Sequence, residues 1–391
     1  VIYLIKVVVI GSEIRHEGAF AAILKIFGIE SIYIHFNGDW LRDIEGYIPV
    51  KAGGKPTSLR IYQFKSNNIV SPRYLNQLYD DIRIIIDEFQ PDIISSTQGY
   101  PLWYVAKKAS SEIDKPLLLR IWALNPTKII NYIAYKKIYL AIFYPSLIQM
   151  LLQANFSTAN MSLDSNIYNW ISKMSVKPNF LVYPSYLQLL IYKQSVDSLI
   201  EFVDNLSDGY ILVLAWLYND NHPRVKLGGE LLLKLACRVA TYNKDIPVLV
   251  AGVDRDEALD RLNTSILPGN LYFIGGWLRD KELEILYRNA KLVMIPFYFT
   301  LSNKFLEALS YGAPIITNST TIKLYPELGD DGYFIVEDDL NRYPMVIRRL
   351  IRDDDELERL REGSREAFQR FFSAESTGPI AVRIIKSLLE K

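Results

Sequence analysis

Short apolar runs alternate with amphipathic stretches along the whole chain. Leu4–Ile10 reads as a first buried strand, Glu17–Phe27 as a helix stopped by Gly28, and Ser31–Phe36 as the next strand. A polar, glycine-rich region follows, with Gly53, Gly54, Lys55 and Pro56. Ser71–Phe89 carries apolar residues at helical spacing, and Pro91–Ser96, Pro116–Trp122, Phe156–Ala159 and Phe180–Tyr183 read as short strands between helices. Such alternation predicts an α/β chain with parallel sheets covered on both faces.

The second half repeats the scheme. Strands are expected at Tyr210–Trp216, Pro247–Gly252, Leu271–Gly275, Lys291–Pro296 and Ala313–Thr317. Helices are expected at Lys226–Val239, Arg255–Leu262, Asp280–Asn289 and Ser302–Tyr311. The turn-rich Asn205–Gly209 marks a domain boundary, giving domains at 1–206 and 207–373. Ser373–Lys391, carrying a Gly378–Pro379 break, reads as a terminal helix. In open α/β sheets ligands bind outside the carboxyl ends of the strands, so the loops after the strands hold the candidate chemistry.

The segment Met294–Asn318, MIPFYFTLSNKFLEALSYGAPIITN, combines an apolar strand, a polar loop, a short helix with one inward acid, a glycine turn and a second apolar strand. Free amides at a helix N-terminus suit a phosphate. Glu307, which accepts hydrogen bonds only when ionised, suits a pair of sugar hydroxyls. Phosphate beside sugar describes a nucleotide-sugar. The alternative for Glu307 is a helix-face carboxylate paired with Lys304 or Arg288.

This segment resembles the donor-site segment of retaining GT-B glycosyltransferases, especially glycosyltransferase family 4. The resemblance implies two doubly wound Rossmann-like domains facing across a cleft, the first completed by the terminal helix 374–391. It implies a metal-independent glycosyltransferase with no cofactor, taking a nucleoside-diphosphate sugar as donor and a glycan or lipid-linked molecule as acceptor. Glu307 takes the place of the acid that holds the ribose, whereas the family's other acid falls at Phe299. The family's Gly–Arg pair falls at Ala215–Trp216, which leaves Arg224 and Lys226 as the diphosphate cations. Backbone groups of Trp277 and Leu278 would lie along the nucleobase. Thr300, Ser302 and Asn303 would bond sugar or phosphate, and Gly18 would open the first loop, GSEIRHEGAF, to substrate. His16 and Glu17 in that loop are further candidates for substrate contact, as are Gln98, Tyr100, Trp122 and Asn125 at two later strand ends. Two alternatives share the expected fold: a sugar-nucleotide epimerase and a non-catalytic nucleotide-sugar-binding relative.

Composition narrows the partners. The 391 residues are 50% hydrophobic and 23% charged, enough for two packed cores. Lys plus Arg equals Asp plus Glu at 44 each, without the basic excess of a nucleic-acid binder. The lone Cys237 excludes an internal disulfide and favours the cytoplasm; within its helix it reads as a small apolar residue. Three histidines and no paired cysteine disfavour zinc. The opening VIYLIKVVVIGSE reads as a strand rather than a signal peptide, and no apolar run is long enough for a span. Lys128–Leu152 reads either as buried helices of the first domain or as an interfacial helix, which would bring the protein to the inner membrane face. Ile- and Tyr-rich, Cys-poor usage points toward a thermophile. Arg348–Arg370 reads as a solvated, salt-bridged helix pair without chemistry.

Overall fold

A computed structural model describes residues 4–12, 14–37, 45–65, 72–97, 99, 102–121, 149–190, 196–206, 209–215, 229–276, 278–296, 303–329 and 332–390. The chain forms two compact units, one of Val1–Ile191 with Gln369–Lys391 and one of Tyr192–Phe368.

The first unit is built on a nine-stranded sheet. Its strands are β1 (Lys6–Gly11), β2 (Glu30–Asn37), β3 (Gly46–Ala52), β4 (Lys55–Lys65), β5 (Ile93–Thr97), β6 (Leu117–Ile121), β7 (Ala159–Ser162), β8 (Asn179–Leu181) and β9 (Leu187–Leu189). Their order is β8-β7-β6-β5-β1-β2-β4-β3-β9. All pairs are parallel except those of β3, which runs antiparallel to β4 and β9. The fully buried run Val7–Ile10 makes β1 a central strand, as β-branched residues buried on both faces should. Helices α1 (Ala19–Ile26), α2 (Pro72–Phe89), α3 (Leu102–Glu112) and α4 (Ser165–Met174) cover the sheet. Residues 149–156 are also helical.

The glycine-rich region of the sequence is a hairpin. Ala52 pairs with Lys55, and Gly53 and Gly54 between them both have positive φ, +53° and +85°. A two-residue turn with left-handed backbone at both central positions matches the twist of the flanking strands. The antiparallel pairing of β3 with both β4 and β9 makes the sheet mixed rather than wholly parallel.

The second unit has strands β10 (Tyr210–Leu214), β11 (Val248–Ala251), β12 (Leu271–Ile274), β13 (Ala290–Ile295), β14 (Ile315–Thr317) and β15 (Ile335–Val336). They are parallel, in the order β12-β11-β10-β13-β14-β15. The direction of winding reverses between β10 and β13, the switch point at which doubly wound sheets bind ligands. Its helices are α5 (Asp197–Asp204), α6 (Leu231–Tyr242), α7 (Arg255–Leu262), α8 (Asp280–Asn289), α9 (Asn303–Ser310), α10 (Ser319–Leu324), α11 (Tyr343–Leu350) and α12 (Asp354–Ala367). Although α5 precedes the Asn205–Gly209 turn expected to end the first domain, it packs on α8, with Phe202 edge-on to Tyr272 at 6.1 Å, and belongs to the second unit. Cys237 lies on α6, partly buried against the core. The charged pair α11–α12 has a buried side, including Ile347, Leu350, Leu357 and Leu360, under its exposed arginines and acids.

The chain re-enters the first unit at Gln369 and ends in α13 (Ala374–Leu389). The helix runs through Pro379 without stopping. Gly378 permits its close approach to α1: a Cβ there would fall 2.1 Å from Phe27 Cε2. The start of α13 is pinned to the β3–β4 hairpin by Ala374 N–H donating to Gly53 O at 2.9 Å and by the Lys55–Glu375 ion pair at 2.9 Å.

Candidate active site

Among the described residues, the second unit's switch point carries a helix-borne polar cluster. α9 follows β13 and buries Phe305, Leu306, Glu307, Ala308 and Leu309. Glu307 is therefore a carboxylate among core residues, only 5% exposed. Burying such a group is tolerated only with partners. Tyr287, fully buried near the end of α8, places its hydroxyl 3.0 Å from Glu307 Oε2 and 3.2 Å from Lys304 O. A phenol has one proton, so these two acceptors share it. Tyr311 stacks on Tyr287 with centroids 5.7 Å apart and fixes the ring. Arg288, weighed above as a partner for Glu307, is instead paired with Glu284 at 2.9 Å.

Lys304 stands in the first turn of the same helix. Its Nζ donates to Leu214 O at 2.5 Å. Leu214 is the last residue of β10, so this ammonium marks the carboxyl end of the strand at which the winding reverses. Burial pulls its pKa down from 10.5 to about 8, and the attraction of Glu307 opposes that fall. The cluster thus presents a titratable cation and an acid on adjacent turns.

Of the other residues singled out from the sequence, Asn303 opens α9 and is partly buried, and Leu278 is partly buried after the β12 end, ahead of the α8 cap in which Arg279 N–H donates to Glu282 at 2.7 Å. Lys226, Arg224, Trp277, Thr300 and Ser302 lie outside the described residues, as do Trp216, Phe299, Gln98, Tyr100, Trp122, Asn125 and most of Lys128–Leu152.

In the first unit, the loop after β1 is a π turn, Ile14–Gly18. Here the glycines serve packing. A Cβ on Gly18 would meet Ile14 Cγ1 at 3.0 Å and Leu187 Cδ2 at 3.2 Å, and one on Gly11 would meet Glu17 Cγ at 2.5 Å. Glu17 is fully buried and His16 nearly so. Burial, reinforced by Arg120 and Arg15, lowers the His16 pKa to about 3 and keeps the ring neutral. Gly11 therefore faces the Glu17 side chain.

Two residues of this chemistry escaped the sequence reading. Arg120 is 2% exposed inside β6. Its signal was a lone arginine in the apolar run LLLRI, since charged residues are almost never fully buried without a partner. Tyr287 gave no comparable signal, because a tyrosine on the apolar side of a helix is ordinary core.

Residues 219–353 match the family of group 1 glycosyl transferases. The second unit carries a group 1 glycosyltransferase domain. Three solved structures show the fold of the whole chain. A glycosyltransferase from Rickettsia africae matches with a TM-score of 0.65 at 13% identity, covering 99% of each chain. HepE of Anabaena, solved with UDP and glucose, matches with a TM-score of 0.63 at 13% identity over 98% of this chain and 100% of its own. The UDP-GlcNAc 2-epimerase of Methanocaldococcus jannaschii matches with a TM-score of 0.58 at 14% identity over 98% and 100%. The fold is thus GT-B, as the resemblance implied. Among curated proteins none matches this chain. No helix among the described residues is long and apolar enough to cross a membrane.

Proposed function

We propose that the protein transfers a sugar, with retention and without a metal, from a nucleoside-diphosphate sugar to a glycan or lipid-linked acceptor. The observation that carries this reading is the Lys304–Glu307 pair on α9, a helix inside the group 1 glycosyltransferase match, placed at the switch point of the second unit's sheet. Glu307 accepts the ribose hydroxyls, exchanging part of its bonding with Tyr287 for the ligand. Lys304 sets a cation at the β10 end, and Lys226 with Arg224 completes the neutralisation of the diphosphate as the glycosidic bond breaks. A cation at a leaving group whose charge grows in the transition state is worth most where water is excluded. The departing phosphate oxygen accepts the acceptor proton on the same face, so the protein contributes positioning rather than a dedicated base. The HepE structure, solved with UDP and with glucose, supports a nucleotide-sugar as the donor class.

Calorimetry with UDP, GDP and ADP, followed by turnover with the matching sugar nucleotides, tests the reading. Glu307→Ala should weaken nucleotide-sugar binding about 10–100-fold, the equivalent of ~1.5–3 kcal/mol for hydrogen bonds to a charged group. Unchanged affinity removes Glu307 from the site. A converted sugar without acceptor product identifies an epimerase, and tight binding without turnover identifies a non-catalytic relative.

A further inference from the structure

The first unit carries a second group of residues that calls for a ligand. A cavity of about 20 Å³ is lined by His16, Phe20, Arg120, Tyr183, Ser185 and Thr377, among others. That is room for about one water-sized atom. It sits at the carboxyl edge of the sheet: His16 follows β1, Arg120 is the penultimate residue of β6, and Tyr183–Ser185 follow β8. In doubly wound sheets ligands enter at this edge.

Arg120 is what this cavity is built around. Its guanidinium stacks over Phe20, with Cζ 4.5 Å from the ring centroid. One terminal nitrogen, Nη2, donates to His16 O at 3.3 Å. The remaining donors, Nε and Nη1, are buried without a hydrogen-bond partner. An arginine cannot shed its proton to escape this cost, and a buried donor left unmade keeps its full desolvation penalty. Glu17 attracts Arg120 electrostatically, but it receives neither of these two donors. His16 is neutral and adds no positive charge.

We propose that this cavity is a subsite for a compact anion, sized for a halide or for one terminal oxygen of a carboxylate or phosphoryl group, with Arg120 as the binding residue. If the bound oxygen belongs to the acceptor, that attribution, unlike the site itself, rests on the glycosyl-transfer reading.

Crystals of the full chain soaked in sodium bromide test the site directly. One anomalous peak within hydrogen-bonding distance of Arg120 Nε or Nη1 is expected. A peak displaced by co-soaked formate or inorganic phosphate supports an oxyanion site, and one that persists supports a halide site. Ordinary water density with no anomalous signal overturns the proposal. Arg120→Met should abolish the peak while keeping the stem over Phe20, and a peak surviving in that variant also overturns it. If Arg120→Met does not fold, the wild-type soak decides alone. The outcome does not depend on whether the chain turns over a nucleotide-sugar, so failure here and failure of the transferase reading are separable.

Discussion

Removing one oxygen from Tyr287 isolates the support of the candidate donor acid. Tyr287→Phe keeps the fully buried ring and its stacking on Tyr311 at 5.7 Å, and deletes the hydroxyl 3.0 Å from Glu307 Oε2 and 3.2 Å from Lys304 O. No cavity larger than an oxygen atom is created, so the loss is that of the hydrogen bond. A bond to a charged acceptor is worth about 1.5–3 kcal/mol, and a bond shared between two acceptors falls near the lower end. For a unit of this size, 1 kcal/mol moves the midpoint by roughly 2–4 °C. The second unit's unfolding transition should therefore drop by about 3–6 °C. Scanning calorimetry is the assay, with the two units' transitions fitted separately, because a two-unit chain need not unfold in one step. The same variant should lose less nucleotide affinity than Glu307→Ala, because it loosens the carboxylate without removing it. A transition within 1 °C of wild type, with unchanged nucleotide affinity, would refute the argument that Tyr287 holds Glu307 in place.

Burial holds His16 at a pKa of about 3 and His35 at about 4, against 6.5 unfolded. Unfolding therefore takes up protons below pH 6.5, and the first unit should lose stability as pH falls from 6.5 toward 4, by up to ~1.4 kcal/mol per pH unit for each histidine. A His16→Gln, His35→Gln variant should flatten that slope in urea titrations, and an unchanged slope would count against both assignments. Lys304 works at the other end of the scale: its folded pKa of about 8 lies below the unfolded 10.5, so its burial penalty is full below pH 8 and fades as pH rises to 10.5. The difference in midpoint between Lys304→Met and wild type should therefore be most favourable to the variant near pH 7 and shrink by pH 10; a pH-independent difference would mean that the ammonium is solvated. Gly378→Ala forces a methyl into the Phe27 ring, should cost about 1–3 kcal/mol, and should be partly rescued by Phe27→Ala; equal destabilisation in the double variant would refute the close contact.

Much of the second unit was legible in the sequence because its local signals agree with its tertiary role. Helices α7 and α8 span the residues that their periodicity predicts, and each strand is a short apolar run ending in a turn. The first unit was less legible. Its hairpin β3–β4 was hidden because β3 alternates exposed Tyr47 and Pro49 with buried Ile48 and Val50, which breaks up the apolar run, and the glycines that make the turn look like loop residues from sequence alone. β7 falls three residues later than expected, at Ala159 rather than Phe156, because Phe156 still belongs to the preceding helical stretch, residues 149–156. Gly378–Pro379 looked like a break, yet α13 passes through it.

The amino-acid sequence by itself determined the α/β alternation, the two-part organisation and the acid on α9. Those features follow from local periodicity, and periodicity is written residue by residue. Only the tertiary structure decided what stands next to what. Tyr287 meets Glu307 from a helix twenty residues away, Lys304 reaches back ninety residues to the Leu214 carbonyl, and Arg120 lies against the His16 loop 104 residues before it. Contacts between elements depend on sheet order and helix approach, and side-chain spacing along one segment carries no record of either.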